Sequence, residues 1–394
     1  MTTPHAAFAE ALLCDITDLI GELPDTYARA LRRVPRHLFL PDRIWLRDGD
    51  GGYRPCDRTQ DPDGWMAAAY TDTPLVTQFT DDVPTSSASM PSMVLRTLLL
   101  AGLDDPAASP PRRVMELGAG TGFHAALLCE LLGERAVTTL ELDPLLAAQA
   151  ERNAKTAGYA PEVVVGDAAL GWPSGAPYDR IVATFSVDRL PRAWLQQITS
   201  GGRIVTPWTS TWCCYGTLAL AVEPDGGARG RFHAFASFMP MRRPDDTRPT
   251  PRPAQGDAFP SQTGTSPVSP WQVAGGDLDA EFHIGLAVPG AVYAWDTSGV
   301  HAPTRLHITD TTSSSWATVD YDGRQAHTYA FTQAGPRRLW DEITTAYTEW
   351  EALGRPGTDL YRLQVSPLGR HHITVHTATG EHTVREDRTE TGPR

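Results

Sequence analysis

Short apolar runs alternate with longer segments of helical periodicity in the middle of the chain, between residues 114 and 207. Short apolar runs are typical of buried strands, whereas apolar residues spaced three or four apart are typical of amphipathic helices. On this pattern we predict β-strands at 114–117, 137–142, 162–165, 179–185 and 203–207, and α-helices at 123–132, 144–157 and 191–199. Such alternation favours a parallel sheet with helices on both faces.

The pattern is different nearer the N-terminus. Residues 5–33 carry an apolar stripe with helical spacing, and residues 91–100 are predicted to form another helix. Residues 41–72 are rich in Asp, Gly, Arg and Trp and are predicted to be irregular. The N-terminal part is therefore predicted to be helical, with one irregular insertion.

Beyond about residue 212 the pattern becomes that of antiparallel strands. Residues 217–222 and 231–238 form a predicted hairpin, and a long helix is predicted at 336–353 among further strands. Residues 242–270 are rich in Pro, Thr, Ser and Gly, and we predict that they form a linker or mobile loop.

A chain of 394 residues is too long for one sheet domain, so two domains are expected. The prediction is an α/β fold with a Rossmann-like sheet and an additional C-terminal α+β domain. Its parts are an N-terminal helical region with the irregular insertion at 1–85, a sheet core at 86–212, and the C-terminal domain at 213–394.

Composition limits the classes of function. The net charge of −13 argues against a dedicated nucleic-acid binder. The five cysteines lack metal-ligand spacing, and their odd number suits the reducing cytoplasm. There is neither a signal peptide nor an apolar run long enough to span a membrane. We therefore expect a cytoplasmic protein without a structural metal ion.

The loop after the first predicted strand is the strongest functional signal. Gly118, Gly120 and Gly122 follow residues 114–117 at alternate positions, and an apolar helix begins directly afterwards. Glycine allows a tight turn and lets a ligand lie against the backbone, as in nucleotide-binding sheets. The alternative is that the glycines serve packing alone.

Three acidic residues sharpen this interpretation. Glu141 lies about 20 residues beyond the loop, where an acid accepts both ribose hydroxyls. Gly166-Asp167 places another carboxylate at the same edge of the sheet, and Glu116 immediately precedes the glycines. Nothing here requires the pyrophosphate of NAD, and an acid at position 116 suits an ammonium group. S-adenosyl-L-methionine, which carries an amino group, a sulfonium and a ribose, therefore fits better than NAD.

Short motifs between residues 30 and 210 occur in a distinctive order: Val34-Pro35-Arg36, Phe39-Leu40-Pro41, Tyr70-x-Asp72-x-Pro74-Leu75, Ser89-Met90-Pro91-Ser92-Met93-Val94, Val165-Gly166-Asp167, Ala176-Pro177-Tyr178-Asp179 and Gly201-Gly202-Arg203. This order resembles the protein-L-isoaspartate O-methyltransferase family. The resemblance implies a methyltransferase fold that uses S-adenosyl-L-methionine. It also implies further cofactor contacts, which are Ala119, Thr121, Leu142, Ala168 and Thr184.

In the family this chain resembles, the serine of the Ser-x-Pro-x-Met motif faces the reacting carboxylate. The resemblance therefore implies a catalytic role for Ser89, with Ser86 and Ser87 as helpers. Hydroxyls can hold a carboxylate oxygen without neutralising it. No general base is needed, because a carboxylate with a pKa near 3.9 is already ionised at pH 7. Alternatively, Ser89 only caps a helix and Ser86-Ser87 form a solvated turn.

The sequence also departs from the repair enzymes of that family. Phe185-Ser186-Val187-Asp188 replaces a run of small residues followed by Pro, the strand at 203–207 ends in Pro207-Trp208, and the chain continues far beyond residue 212. This layout resembles family members from biosynthetic clusters of ribosomally made peptides, namely graspetides and lanthipeptides. Those enzymes methylate a defined aspartate, and the ester then closes to an aspartimide and in some cases yields isoaspartate.

That resemblance implies a modified precursor peptide as substrate. It also implies an ATP-grasp ligase or a lanthipeptide synthetase of the same pathway as a partner. Two alternatives remain open from the sequence. One is a repair methyltransferase that acts on isoaspartate in damaged proteins, and the other is a non-catalytic peptide-binding module with the same fold.

Several aromatic and histidine residues carry weaker expectations. His124 on the first helix is expected to be a partly exposed helix residue rather than part of the cofactor pocket. Trp208, at the end of a strand, is expected near the substrate. His371, His372 and His376 lie on a predicted strand, where no metal site is expected.

Overall fold

The computed structural model describes residues 4–49, 51–104, 112–242, 259–298, 304–322 and 327–387. Most of the predicted linker at 242–270 lies outside the described residues. Within its described part, Gln262–Ser266 form a strand. No helix in the described ranges is both long and apolar enough to cross a bilayer.

The elements of the described residues are numbered in chain order. The helices are α1 (Pro4–Ile20), α2 (Asp25–Arg33), α3 (Pro62–Ala69), α4 (Pro91–Ala101), α5 (Phe123–Leu132), α6 (Pro144–Thr156), α7 (Arg192–Gln197), α8 (Pro270–Ala274), α9 (Leu278–Ala287) and α10 (Leu339–Ala352). The strands are β1 (Arg43–Arg47), β2 (Tyr53–Asp57), β3 (Leu75–Thr80), β4 (Val83–Ala88), β5 (Val114–Leu117), β6 (Val137–Glu141), β7 (Glu162–Val165), β8 (Tyr178–Ala183), β9 (Ile198–Pro207), β10 (Thr217–Val222), β11 (Ala228–His233), β12 (Gln262–Ser266), β13 (Ala291–Asp296), β14 (Thr304–Asp310), β15 (Trp316–Tyr321), β16 (Tyr329–Ala334), β17 (Tyr361–Val365), β18 (His371–Thr377) and β19 (Gly380–Glu386).

A ten-stranded mixed sheet forms the centre of the molecule, in the order β19-β18-β17-β11-β10-β9-β8-β5-β6-β7. The strands from β9 to β7 in this order are parallel, and those from β10 to β19 pair in antiparallel fashion. β5 lies inside the parallel part with every residue buried, and Glu116 is its one charged residue. The carboxyl ends of the parallel strands meet at one edge, where open α/β sheets bind their ligands.

The predicted fold class is confirmed: a Rossmann-like α/β sheet with additional C-terminal strands and helices. The sheet continues across residue 212, however, because β10, β11, β17, β18 and β19 extend it. Among the described residues beyond 212, those from β12 to α10 form a layer outside this sheet. Strand patterns in the sequence indicate strands but not their partners, so this continuity could not be predicted.

That layer is a five-stranded antiparallel sheet, ordered β12-β16-β15-β14-β13, with α8, α9 and α10 packed beside it. Its core is apolar and contains Ile308, Val319, Trp340, Ile343 and Trp350.

Two N-terminal expectations need correction. Residues 5–33 form two helices rather than one, with a break at Gly21, whose φ is +88°. The segment at 41–72 is not irregular, because it contains β1, β2 and α3, and β1 to β4 form a four-stranded sheet ordered β2-β1-β3-β4. The two short strands were missed because arginines and exposed positions interrupt their alternation. The start of α3 carried a usable signal, since Asp61 accepts the Gly64 N–H before Pro62.

One buried side chain joins the loops of the N-terminal part. Arg36 is 1% exposed, and burial lowers its pKa to about 10, so the guanidinium stays charged at neutral pH. Its two terminal nitrogens donate hydrogen bonds of 2.9–3.4 Å to five backbone carbonyls, those of Ala69, Thr71, Thr73, Ala88 and Ser89. The loop after α3 is thereby tied to the end of β4.

Replacing Arg36 with Leu would leave these carbonyls without their donor, and each unsatisfied buried polar group costs about 1–3 kcal/mol. We expect Arg36→Leu to lower the melting temperature by roughly 5 °C or more, since about 1 kcal/mol shifts a large domain by roughly 2–4 °C. Thermal denaturation followed by circular dichroism measures this shift. Arg32→Leu is the matched control, because Arg32 is 46% exposed and forms only a surface ion pair with Glu10. Equal shifts for the two variants would contradict the prediction.

Candidate active site

A cleft of about 1820 Å³ opens at the carboxyl ends of the parallel strands. Its walls are the glycine loop after β5, the serine-rich end of β4, and residues 236–242 that follow β11. The four-stranded sheet is fixed to this edge by Gln78, which donates to the Asp143 carboxylate at 3.0 Å. Small-molecule pockets measure about 300–1000 Å³, so this cleft has room for a cofactor and a peptide segment.

The glycine loop requires glycine at each position, for different reasons. Gly118, Gly120 and Gly122 all have positive φ values, of +95°, +53° and +91°. A Cβ at Gly118 would lie 2.5 Å from Thr184 Oγ1, and one at Gly122 would lie 3.0 Å from a backbone oxygen of Ala150. Packing therefore accounts for these two.

Gly120 differs, because a Cβ there would meet nothing closer than Ser86 Oγ at 3.8 Å. Its backbone lies open to the cleft, opposite the serines, and its N–H donates to Glu141 Oε2 at 2.8 Å. The alternative that the loop serves packing alone therefore fails at Gly120, where the backbone forms a cradle that a ligand can approach.

Glu141 ends β6 beside this cradle. Its second oxygen, Oε1, accepts the Asp143 N–H at 3.1 Å and lies 3.9 Å from an Arg242 guanidinium nitrogen. Burial raises the pKa of the Glu141 carboxyl, and the residue still forms part of the cleft wall. Both oxygens are thus held by backbone groups at the place where a ribose would lie.

The structure brings most of the predicted cofactor residues to the cleft wall: Gly118, Ala119, Gly120, Thr121, Glu141, Leu142, Ala168 and Thr184. Thr184 also fixes the loop, because its hydroxyl donates to the Gly118 carbonyl at 2.6 Å. Four predicted residues do not form part of the wall: Glu116, Gly122, Gly166 and Asp167. Asp167 instead accepts the Ala169 N–H at 2.8 Å within its own turn.

The structure places Glu116 and His124 differently from the sequence-based expectation, since Glu116 lies outside the cleft wall and His124 forms part of it. Glu116 is fully buried, and its Oε1 lies 2.7 Å from Nδ1 of His124. His124 is not a partly exposed helix residue, because it is only 6% exposed and forms part of the cleft wall. Sequence spacing could not show that the first turn of α5 places an imidazole over the acid.

The three predicted serines line the cleft, and a Cβ at Gly120 would lie 3.8 Å from Ser86 Oγ and 4.0 Å from the Ser87 carbonyl oxygen. Ser86 Oγ accepts a hydrogen bond from Thr77 at 3.2 Å, whereas no partner of the Ser87 or Ser89 hydroxyl occurs among the described residues. Ser86 and Ser87 belong to β4, so the alternative of a solvated turn is wrong.

The helix-capping alternative for Ser89 is wrong as well. The residue that caps α4 is Met90, which makes no side-chain cap hydrogen bond. The Ser92 N–H is satisfied by the Asp72 carboxylate at 2.8 Å instead. The Ser89 hydroxyl is therefore available to a ligand in the cleft.

Trp208 does not lie near the cleft, contrary to expectation. It is 2% exposed and packs edge-on against Phe232, with ring centroids 5.3 Å apart. The backbone N–H of Trp208 donates to the Gly216 carbonyl at 2.8 Å where the chain turns from β9 into β10, and the ring lies in the core. Nearby, burial lowers the pKa of His371 to about 4. Within the described ranges, no cluster of three or more His, Cys, Asp or Glu side chains could hold a metal ion.

Sequence reasoning missed the outer walls of the cleft. They come from the β1–β2 hairpin and from residues beyond 212: Leu46, Tyr53, Arg54, Tyr215, Phe238, Met239, Met241 and Leu278. None of these residues belongs to a motif, and only the long-range packing of the chain brings them to the site.

Comparisons with known proteins agree with this geometry. The family model described as protein-L-isoaspartate(D-aspartate) O-methyltransferase (PCMT) matches residues 56–213. The chain is 34% identical over 221 residues to protein-L-isoaspartate O-methyltransferase 1 of Archaeoglobus fulgidus, covering 56% of this chain and 86% of that relative. It is 35% identical over 217 residues to the protein-L-isoaspartate O-methyltransferase of Methanopyrus kandleri, covering 54% and 82% respectively.

The chain belongs to the protein-L-isoaspartate O-methyltransferase family. It is an S-adenosyl-L-methionine-dependent carboxyl O-methyltransferase, as the sequence predicted. The alternative of a non-catalytic binding module is therefore set aside. The cradle at Gly120 and the acceptor at Glu141 fit this cofactor, which supplies an electrophilic methyl group when it is bound.

A solved structure of a protein-L-isoaspartate O-methyltransferase shares the fold over nearly the whole methyltransferase. The match has a TM-score of 0.54 and 20% identity, and it covers 93% of this chain and 99% of that chain. A chain of that name thus has a counterpart to the C-terminal extension. The presence of such an extension therefore does not by itself distinguish a peptide-tailoring enzyme from a chain of that name.

Glu141 yields the first test of the cofactor site. Loss of a charged hydrogen-bond acceptor costs about 1.5–3 kcal/mol, so Glu141→Ala should weaken S-adenosyl-L-methionine binding about tenfold or more. Isothermal titration calorimetry measures the affinity. Glu151→Ala, on the exposed side of α6, is the matched control and should bind as the unchanged protein does. Unchanged affinity in Glu141→Ala would remove this residue from the site.

Ser89 yields a second test, which separates substrate from cofactor. Ser89 lines the cleft outside the glycine loop, so Ser89→Ala should slow methylation by roughly tenfold or more, the effect of one lost hydrogen bond to a charged group. The affinity for S-adenosyl-L-methionine and the melting temperature should stay nearly constant. A parallel fall of rate, affinity and melting temperature would show that Ser89 is a structural residue.

Proposed function

We propose that this methyltransferase acts on isoaspartyl residues of peptides and damaged proteins, as the names of its relatives indicate for those proteins. The observation that carries the proposal is the position of Ser86, Ser87 and Ser89. All three line the same cleft as the glycine cradle, and this cleft has room for a peptide. The same cleft thus offers a cofactor side and a carboxylate side.

The chemistry makes modest demands on the side chains. A bound cofactor would supply a methyl carbon, to which a substrate carboxylate oxygen would bond as the carbon–sulfur bond breaks; S-adenosyl-L-homocysteine would be released with the electron pair on sulfur, and no proton would move. The carboxylate is ionised at pH 7 and needs no base. Ser87 and Ser89 donate hydrogen bonds that orient it, and near-attack placement of this kind can supply on the order of 7 kcal/mol in favourable cases.

A second candidate is methylation of one defined aspartate in a ribosomally made, crosslinked peptide, with an ATP-grasp ligase or a lanthipeptide synthetase as partner. It is favoured by Ser186, which lies where the sequence departs from the repair enzymes. Ser186 bonds through its N–H to the Met239 carbonyl at 2.9 Å and through its hydroxyl to the Phe238 carbonyl at 3.0 Å. The departure therefore fixes a wall of the substrate cleft.

One experiment separates the two candidates. The full chain is incubated with S-adenosyl-L-methionine and an isoaspartyl peptide, its aspartyl twin, or a crosslinked precursor peptide, and products are followed by mass spectrometry. We expect the isoaspartyl peptide to react at least about tenfold faster than its twin, a difference of about 1.4 kcal/mol in the barrier. The full chain is required, because residues beyond 212 supply five of the ten strands of the central sheet.

Exclusive turnover of the crosslinked peptide would overturn the isoaspartyl proposal and support the second candidate. Failure of all three peptides, with normal cofactor binding, would contradict both. Ser89→Ala is the control: methylation that this variant performs as fast as the unchanged protein does not take place at Ser89 in the cleft.

A further inference from the structure

We infer that Arg47, which lies over the ring of Tyr53 in the wall of the cleft, binds an acidic side chain that flanks the methylated residue in the polypeptide substrate. The inference rests on the proposed function, since it requires a polypeptide in this cleft. It names a preference within that class of substrate, for isoaspartyl residues with acidic neighbours. Both residues precede residue 56, where the match to the family model begins, so membership of the family assigns them no role.

The register of the four-stranded sheet relates Arg47 to the serines of the cleft. Trp45 on β1 pairs with Val76 on β3, and Val76 pairs with Ser87 on β4, so these three residues form one row across the sheet. Arg47 lies two residues beyond Trp45 and therefore on the same face of β1. Adjacent strands are about 4.8 Å apart, so the backbone at Arg47 lies about 10 Å from β4, a distance that an extended peptide crosses in about three residues.

Tyr53 fixes the position of the guanidinium. Arg47 and Tyr53 pair directly across β1 and β2, and Cζ of Arg47 lies 5.9 Å from the centroid of the Tyr53 ring. That ring packs edge-to-face with Phe79 at 5.6 Å between centroids, and Phe79 packs in the same way with Trp45 at 5.1 Å. A guanidinium held over an aromatic ring keeps the N–H groups at its edge available to a carboxylate. The aromatic residues thus present Arg47 to the cleft in a limited range of positions.

Charge identifies the ligand of Arg47. This side chain is exposed, it forms no ion pair within the described residues, and Arg54 lines the same part of the cleft. The adjacent Asp48 carboxylate accepts a backbone N–H at 2.6 Å and does not line the cleft. The acidic residues of the described cleft wall are Glu141 and Asp143, which already accept hydrogen bonds beside the glycine loop. Charges beyond about 10 Å are screened at 0.1 M ionic strength, so the local field at Arg47 attracts an anion although the net charge is −13.

The test uses isoaspartyl peptides with blocked ends that carry glutamate, glutamine or lysine at the third position on each side of the target. Blocked ends exclude a terminal carboxylate as the group that binds. Fluorescence anisotropy gives the dissociation constants for the full chain saturated with S-adenosyl-L-homocysteine. We expect the glutamate peptide to bind about fivefold or more tightly than the lysine peptide, the size expected of exposed charge pairs. In turnover with S-adenosyl-L-methionine the difference should appear in KM and not in kcat, because Arg47 is remote from the reacting carboxylate.

Arg47→Gln should reduce this preference to less than about twofold. Raising the ionic strength from about 0.1 M to about 1 M should weaken the preference of the unchanged protein, because the Debye length falls from about 10 Å to about 3 Å. Arg43→Gln is the matched control, because Arg43 lies on the same face of β1 but is ion-paired with Asp57 at 3.1 Å and lies outside the cleft wall. It removes the same charge and should keep the full preference. The affinity for S-adenosyl-L-homocysteine should be equal in all three proteins.

Equal binding of the three peptides to the unchanged protein would overturn the inference. A preference that persists in Arg47→Gln, or that falls equally in Arg43→Gln, would overturn it too. The aspartyl twins of the same peptides keep this result separate from the proposed function. Equal turnover or no turnover of the twins and the isoaspartyl peptides, with the glutamate preference in binding intact, would contradict the isoaspartyl proposal and still support the role of Arg47.

Discussion

The serine-lined wall of the cleft depends on the burial of one guanidinium. The loop after α3 and the end of β4 bring five backbone carbonyls to one buried point. Arg36 supplies donors to all of them from a single planar group, which no other side chain can do. Because a buried charge is costly unless it is hydrogen-bonded, this arrangement has few alternatives. The position of Ser89, whose carbonyl is one of the five, follows directly from it.

The cofactor side has a separate origin in the glycine loop and the ends of the parallel strands. Gln78 joins the two sides through its 3.0 Å bond to Asp143, which also caps α6 through the Leu145 N–H. The third wall depends on Ser186, which fastens residues 238–241 alongside the cleft. The site is therefore assembled from three separate parts of the chain, and a few polar contacts fix their positions in addition to the apolar core that they share.

This assembly explains what could be predicted from the sequence. The spacing of Gly118, Gly120 and Gly122 and the Asp143-Pro144 helix start are local signals, because the backbone geometry they require involves only near neighbours. The placement of Trp208 in the core and the pairing of Glu116 with His124 are different, since each depends on how whole elements pack. The β1–β2 hairpin was missed for a related reason: its exposed arginines hide the alternation, and β3 completes its sheet.

The continuity of the central sheet gives the residues beyond 212 a structural role in the methyltransferase. β10 pairs along β9, and β17 pairs with β11, so the extension covers an edge that would otherwise expose unpaired backbone. Its aromatic residues complete the core on one face, where Phe232 packs against both Trp208 and Phe282. The extension is thus a structural part of the methyltransferase, whatever it contributes to recognition of the substrate. The extension can contribute to substrate selectivity through those of its residues that line the cleft, such as Phe238, Met239 and Leu278. It need not act as a separable domain to do so.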